Sequence, residues 1–276
     1  MKRSIYLIAS GLLAVLLIAG CAAQPTATSA PAAGGATSPA TAPAAAGTLR
    51  VATDATFPPF EMVDETTKQP VGFDIDLMNA LAQKMGVQVE YINVPFDTIL
   101  EAMQSCSYDV GLSAITITDA RKQNMLFSDP YISAGQIVVV RSDETAIKSK
   151  DDLAGKRVGA QLATTGEIEA KKIPNVTYKP FDTIDLAFLD MINGNLDGVI
   201  VDNPTAMSYV SRFKGQIMMV GKPFTDESYG IAVCKNNTDL QQKINTALKA
   251  VESEGLITQL QQKWLEAGGT PEPTAQ

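Results

Sequence analysis

Residues 108–131 read YDVGLSAITITDARKQNMLFSDPY. The opening of this stretch, Asp109 to Ile115, is a short run of apolar, small and β-branched residues, which predicts a buried strand. Thr116 to Asp119 then offers two threonines and an aspartate where a helix can begin, with Asp119 as the expected N-cap. Arg121 falls in the first turn, the end of a helix where the dipole disfavours a cation. An arginine at that position is expected to face an anion that the N–H groups of the same turn share. Read alone, the stretch leaves a second role open, a solvated surface arginine of little consequence.

The segments before it predict the fold class. Thr48 to Asp54 alternates and ends on a polar residue, a strand with Asp54 at its C-terminal end. Ala55 to Glu61 holds two prolines and two phenylalanines and is expected to be a loop. Phe73 to Gly86 has apolar residues at helical spacing and a closing glycine, so it reads as a capped helix. Val87 to Val94 is a second strand, Phe96 to Ser105 a second helix and Tyr108 to Ile115 the third strand. This alternation predicts an α/β fold on a mostly parallel sheet with right-handed crossovers.

The scheme then returns. Tyr131 to Arg141 reads as a strand, Lys148 to Leu153 as a helical turn and Arg157 to Gln161 as a strand. Thr164-Thr165-Gly166 opens a helix that runs to Lys172. Val176 to Pro180 and Asp197 to Asp202 are strands, Thr183 to Asn193 a helix, and Asn203-Pro204 starts a helix through Phe213. Ser228 to Cys234 is one more strand, followed by closing helices over Asp239–Glu252 and Gly255–Ala267. Two similar open sheets imply two lobes. Ligands of open α/β sheets sit at the carboxyl ends of strands, and Asp54, Ser113 to Thr116, Thr164-Thr165 and Asp202 all occupy such ends. They outline a cleft, although capping is an alternative role for Thr164, Thr165 and Asp202.

Composition and termini narrow the function. Lys2 and Arg3, the apolar run Ile5 to Ala19, and Gly20-Cys21 make residues 1–21 a signal peptide. Residues 22–47 are almost wholly Ala, Pro, Thr, Ser and Gly, expected to form a flexible tether, and 268–276 a flexible tail. A net charge of −8 and a pI near 4.7 argue against nucleic-acid and anionic-lipid partners. With no histidine and no metal spacing among the cysteines, neither a zinc site nor any cofactor is expected.

In order and spacing, GTLRVATDATFPPFE, VGFDIDL, DVGLSAITITDARKQNMLFSDPY, VGAQLATTGE and LDGVIVDNP resemble the amino-acid-binding proteins of ABC importers, solute-binding protein family three. The resemblance runs from about Thr48 to Leu265. It implies the type II periplasmic-binding fold: two lobes, each an open mostly parallel sheet flanked by helices, joined by two hinge strands. Residues 48–130 and 230–267 would form lobe 1, 136–224 lobe 2, and 131–135 and 225–229 the hinges. The ending Ile18-Ala19-Gly20-Cys21 resembles a lipobox, which implies lipidation of Cys21 and an extracytoplasmic, membrane-anchored domain.

Carried over by motif, Arg121 would grip a ligand α-carboxylate in a bidentate pair, helped by N–H groups near Ala114, Thr116 and Thr165. Asp202, with Ser113 and Thr116, would accept from the α-ammonium. Phe57 and Phe96 match positions of aromatic walls and Asp54 the far end of a polar or basic side chain, with Gln161 a further lining residue. Either phenylalanine alone reads as core. Two aromatic faces with a carboxylate beyond suit a guanidinium or ammonium. The expected ligand is therefore a basic L-amino acid, arginine first, then lysine, ornithine or histidine. Glutamine comes next, and an acidic one is disfavoured by Asp54. The resemblance also implies a strand order that brings Cys106 and Cys234 within disulfide range, with two buried free thiols as the alternative. A monomer that closes on its ligand and presents it to a permease is expected. An enzyme is disfavoured for want of a free acid–base pair, and a binder feeding a chemosensory receptor is the other alternative.

Overall fold

The computed structural model describes residues 47–266. The expected signal peptide over 1–21, the lipidated Cys21, the tether up to residue 46 and the tail 268–276 lie outside the described residues.

Two five-stranded sheets share one plan. In the first lobe the order across the sheet is 88–93, 48–53, 110–111, 232–234, 125–127. Thr48–Thr53 pairs in parallel with Gln88–Asn93 and Val110–Gly111, and Ala232–Cys234 runs antiparallel between its neighbours. In the second lobe the order is 177–181, 157–161, 198–202, 136–141, 217–220. Arg157–Gln161 pairs in parallel on both sides, and Gln136–Arg141 runs antiparallel. The reversed strand of each sheet is the one that has just crossed from the other lobe. The crossings are Ile132–Ala134 and Glu227–Tyr229, which pair with each other antiparallel. Gly135 follows the first, where a Cβ would collide with the Thr225 carbonyl. Close approach of two backbones, rather than a turn, explains that glycine.

Local chemistry accounts for the helices around the cleft. Phe73–Met85 buries Phe73, Leu77, Met78 and Leu81, carries Asp74 and Asp76 in its first turn, and ends on a left-handed Gly86. Phe96–Ser105 buries Phe96, Ile99, Ala102 and Met103. Phe60, Phe73, Tyr131 and Tyr229 form a buried aromatic cluster with centroid separations of 5.1 to 6.3 Å, which ties both crossings to the first lobe. No helix among the described residues is long and apolar enough to cross a membrane.

Several elements differ from expectation. Tyr108–Ile115 narrows to Val110–Gly111, because the chain leaves the sheet after the Leu112 N–H reaches the Ala52 carbonyl (2.9 Å). Tyr131–Arg141 and Ser228–Cys234 each divide into two strands, one in the crossing and one in a lobe. The expected loop 55–61 takes part in a small separate sheet of Thr56–Phe57, Glu61–Val63 and Pro70–Val71, since proline bars a central strand but not a hairpin at the rim. The N-cap before Arg121 is Thr118, not Asp119. The last helix divides into Leu256–Leu260 and a wider-wound Gln261–Glu266.

Cys106, in left-handed conformation at the end of helix Phe96–Ser105, is disulfide-bonded to Cys234, with their Cα atoms 5.1 Å apart. The bond closes a loop of sequence separation 128. Replacing both cysteines with alanine is expected to cost about 2–5 kcal/mol, read as a lower thermal midpoint by calorimetry. An unchanged midpoint would contradict this.

Candidate functional site

The carboxyl ends of the strands of both lobes meet at one cavity. Its walls are Asp54, Phe57, Phe96, Ser113, Ala114, Thr116 and Arg121 from the first lobe and Gln161, Thr164, Thr165 and Asp202 from the second. All the ligand-site residues expected from the sequence are thus brought together. The cavity holds about 10 Å³, room for one water, whereas small-molecule sites usually run to roughly 300–1,000 Å³. In this form the lobes meet across the cleft, through Gln161 to Asp54 and Arg121 to the Ala163 carbonyl.

At one end stands Arg121, buried on the short helix Asp119–Lys122. Its Nη1 donates to the Thr116 carbonyl (2.7 Å) and its Nη2 crosses the cleft to the Ala163 carbonyl (2.9 Å). Its guanidinium lies 5.4 Å from the centroid of the Phe96 ring. Burial draws its pKa down to about 10 against the upward pull of Asp202 and Glu227, so it is charged at neutral pH. A guanidinium has five N–H donors, and two direct bonds leave others for an anion in the cavity. Ala114 and Ala163 flank it with positive φ of 45° and 61°, strained values for alanine that cluster at functional sites.

Asp202 closes the strand Gly198–Asp202 from the second lobe and is 5% exposed. It precedes helix Asn203–Arg212, yet its side chain makes no capping bond, and its buried Oδ1 has no hydrogen-bond partner. Burial, then the charge of Glu227, raises its pKa to about 7, opposed by hydrogen bonding from Tyr229 and Gln136. A buried carboxylate that caps nothing is poised for a cation. Thr164, by contrast, is spent on structure: its Oγ1 accepts from the Glu167 N–H (3.2 Å) and donates to the Gln161 carbonyl (2.7 Å). Thr165 donates its hydroxyl to Glu227 Oε2 (2.8 Å).

Asp54 lies at the far end, 2% exposed. It accepts from the Thr56 hydroxyl on Oδ1 (2.8 Å) and from the Gln161 amide on Oδ2 (2.7 Å). Burial raises its pKa, opposed by these bonds. Gln161 is therefore more than a lining residue, since its amide reaches across the cleft to Asp54. Phe57 and Phe96 serve both readings, packed into the first-lobe core and lining the cavity.

One expected donor is otherwise engaged. The Ala114 N–H donates to Asp74 Oδ2 (2.8 Å), because the left-handed turn at Ala114 aims it into the lobe rather than the cavity. Asp74 also accepts from the Tyr131 hydroxyl (2.9 Å). Glu61 accepts from Ser113 Oγ (2.8 Å). Burial and mutual repulsion raise the pKa of Glu61 well above the carboxylate range, and burial raises that of Asp74. Sequence reading missed both, as well as Glu227; the signal for Asp74 is a carboxylate between Phe73 and Ile75 on a buried helical face.

Residues 49–267 match the family described as bacterial extracellular solute-binding proteins, family 3. A putative ABC transporter arginine-binding protein 2 of Escherichia coli (strain K12) is 35% identical over 228 residues, 80% of this chain and 92% of the relative. A solved structure of an ancestral arginine-binding protein bound to arginine is 45% identical with a TM-score of 0.76, covering 79% of this chain and 98% of its own. A second solved structure, of an ancestral arginine-binding protein bound to glutamine, has the same identity and TM-score, covering 79% and 97%. This chain belongs to the bacterial extracellular solute-binding proteins, family 3.

Proposed function

We propose that this protein captures a basic L-amino acid, arginine first, by closing its lobes, and delivers it to an ABC import permease. One observation carries the reading: a buried guanidinium in one lobe and a buried carboxylate in the other that caps nothing, Arg121 and Asp202, line the same cavity. That pair suits the carboxylate and ammonium common to α-amino acids. Asp54, with Phe96 and Phe57 beside it, suits a cationic head group. The protein acts as a monomeric binder rather than an enzyme, outside the cytoplasm and held to a membrane through lipid on Cys21. Residues 48–130 with 230–267, and 136–224, are the moving lobes; 131–135 and 225–229 are the hinges.

Closure follows from differential affinity, since only contacts made to both lobes favour the closed form. Turning a mostly open population into a mostly closed one takes about 5 kcal/mol. A micromolar ligand supplies roughly 8 kcal/mol, so a single amino acid suffices. A second reading, a glutamine-type binder, draws on Gln161, whose amide already satisfies Asp54, and on the glutamine-bound ancestral structure.

A thermal-shift screen of the standard amino acids and ornithine tests the assignment. Arginine, lysine, ornithine and histidine should raise the midpoint, and glutamate should not. A shift with glutamate and none with arginine would overturn it.

The pKa of Asp202 adds a pH prediction. Because it is raised to about 7, the ligand-free closed form is favoured at acid pH, and that preference fades as pH rises through this value. An ammonium needs the ionised form, so L-arginine affinity should weaken as pH falls below about 7. Calorimetric titration between pH 5 and 8 reads this directly, and a flat profile would contradict it.

A further inference from the structure

We infer that Glu227 is a positioning residue: a hinge carboxylate that clasps one hydroxyl from each lobe and so couples closure to the arrangement of the ligand site. This deepens the binding function proposed above and rests on it. Glu227 opens the second crossing strand, Glu227–Tyr229, and is 8% exposed. Its Oε2 accepts from Thr116 Oγ1 of the first lobe (2.8 Å) and from Thr165 Oγ1 of the second (2.8 Å). Its Oε1 accepts from Thr225 Oγ1 (2.8 Å), which in turn accepts from the Gln136 N–H beside the first crossing (2.7 Å). Gln136 Nε2 donates to Thr165 Oγ1 (3.0 Å), so the strand that follows the first crossing takes part in the same ring of bonds.

The geometry has two consequences. The threonine hydroxyls from the two lobes lie 3.4 Å apart on one carboxylate oxygen, so any parting of the lobes that separates Thr116 from Thr165 breaks at least one bond to Glu227. Hydrogen bonds to a charged acceptor are the strong ones, so the carboxylate favours closure before any ligand arrives. Each threonine, with its hydroxyl held by Glu227, also has its rotamer fixed at the anion end of the cavity, next to Arg121.

The test uses Glu227→Gln, Thr165→Val and the double variant. Spin labels at exposed Gln83 in the first lobe and Lys214 in the second report the interlobe distance without ligand, and calorimetry with L-arginine reports affinity. Each single variant should shift the ligand-free distribution toward longer distances and weaken L-arginine binding by about 5–150-fold, the usual range of coupling between sites. The double variant should lose less than the sum of the singles, because both act on the same Thr165–Glu227 bond. An unchanged ligand-free distribution, or strictly additive losses, would overturn the clasp. If Glu227→Gln does not fold, Thr165→Val alone decides: a longer ligand-free distance supports the clasp and an unchanged one overturns it. The ligand-free distance needs no ligand, so a wild-type protein that ignored L-arginine would sink the binding assignment and leave the clasp still decided.

Discussion

Arg121→Ala is expected to weaken binding of every amino acid, basic or neutral, by at least about 30-fold in calorimetric titration. The guanidinium is buried, retains its charge at neutral pH and lines the cavity together with Thr165 at the second-lobe helix start. Truncating one partner of a buried, hydrogen-bonded charge pair costs about 2–5 kcal/mol, a loss of roughly 30- to 4,000-fold. The variant also strips the carbonyls of Thr116 and Ala163 of their donor, so ligand-free closure should weaken as well. Arg121→Lys should recover only part of the loss, since an ammonium lacks the planar fork that meets a carboxylate with two parallel bonds. Ligand-dependent loss, with some amino acids spared, would show that Arg121 does not hold the group they have in common.

Asp54→Asn should behave differently. It keeps one acceptor, for the Gln161 amide, turns the other oxygen into an N–H donor that the Thr56 hydroxyl can accept, and removes the charge. A basic ligand loses its charge partner in a site closed to water, where a cation without one is costly. Arginine and lysine should therefore weaken by about two to three orders of magnitude, about 3–4 kcal/mol. Glutamine should change by less than about tenfold. The two variants together divide the cavity into an end that recognises all amino acids and an end that chooses among them. Equal losses across ligands in both variants would refute the division.

How much of this was legible in the sequence depends on the range of the contacts involved. Helix Phe73–Met85 was readable because its spacing, first-turn acids and closing Gly86 are all local. Arg121 stood out because a cation in a first turn conflicts with the helix dipole. Asp202 and the threonines were flagged by their place at strand ends, and the fold then separated them: Thr164 caps a helix while Asp202 caps nothing. The missed features are long-range or strained. The bond from Gln161 to Asp54 joins residues 107 apart, and that from Thr116 to Glu227 joins residues 111 apart. No periodicity reports such partners. Alanine is a poor candidate for positive φ, so the turn that redirects the Ala114 N–H gives no sign in composition. Glu227 lies in a three-residue strand, shorter than any window in which alternation can be recognised.

The most direct test of the account is a crystal structure of the protein grown with L-arginine. The ligand α-carboxylate should lie on the Arg121 guanidinium, its ammonium within hydrogen-bonding distance of Asp202, and its side-chain guanidinium beyond Phe57 and Phe96 against Asp54. An arginine bound in the reverse sense, with its side chain on Asp202 and its ammonium on Asp54, or seated outside this cavity, would contradict it.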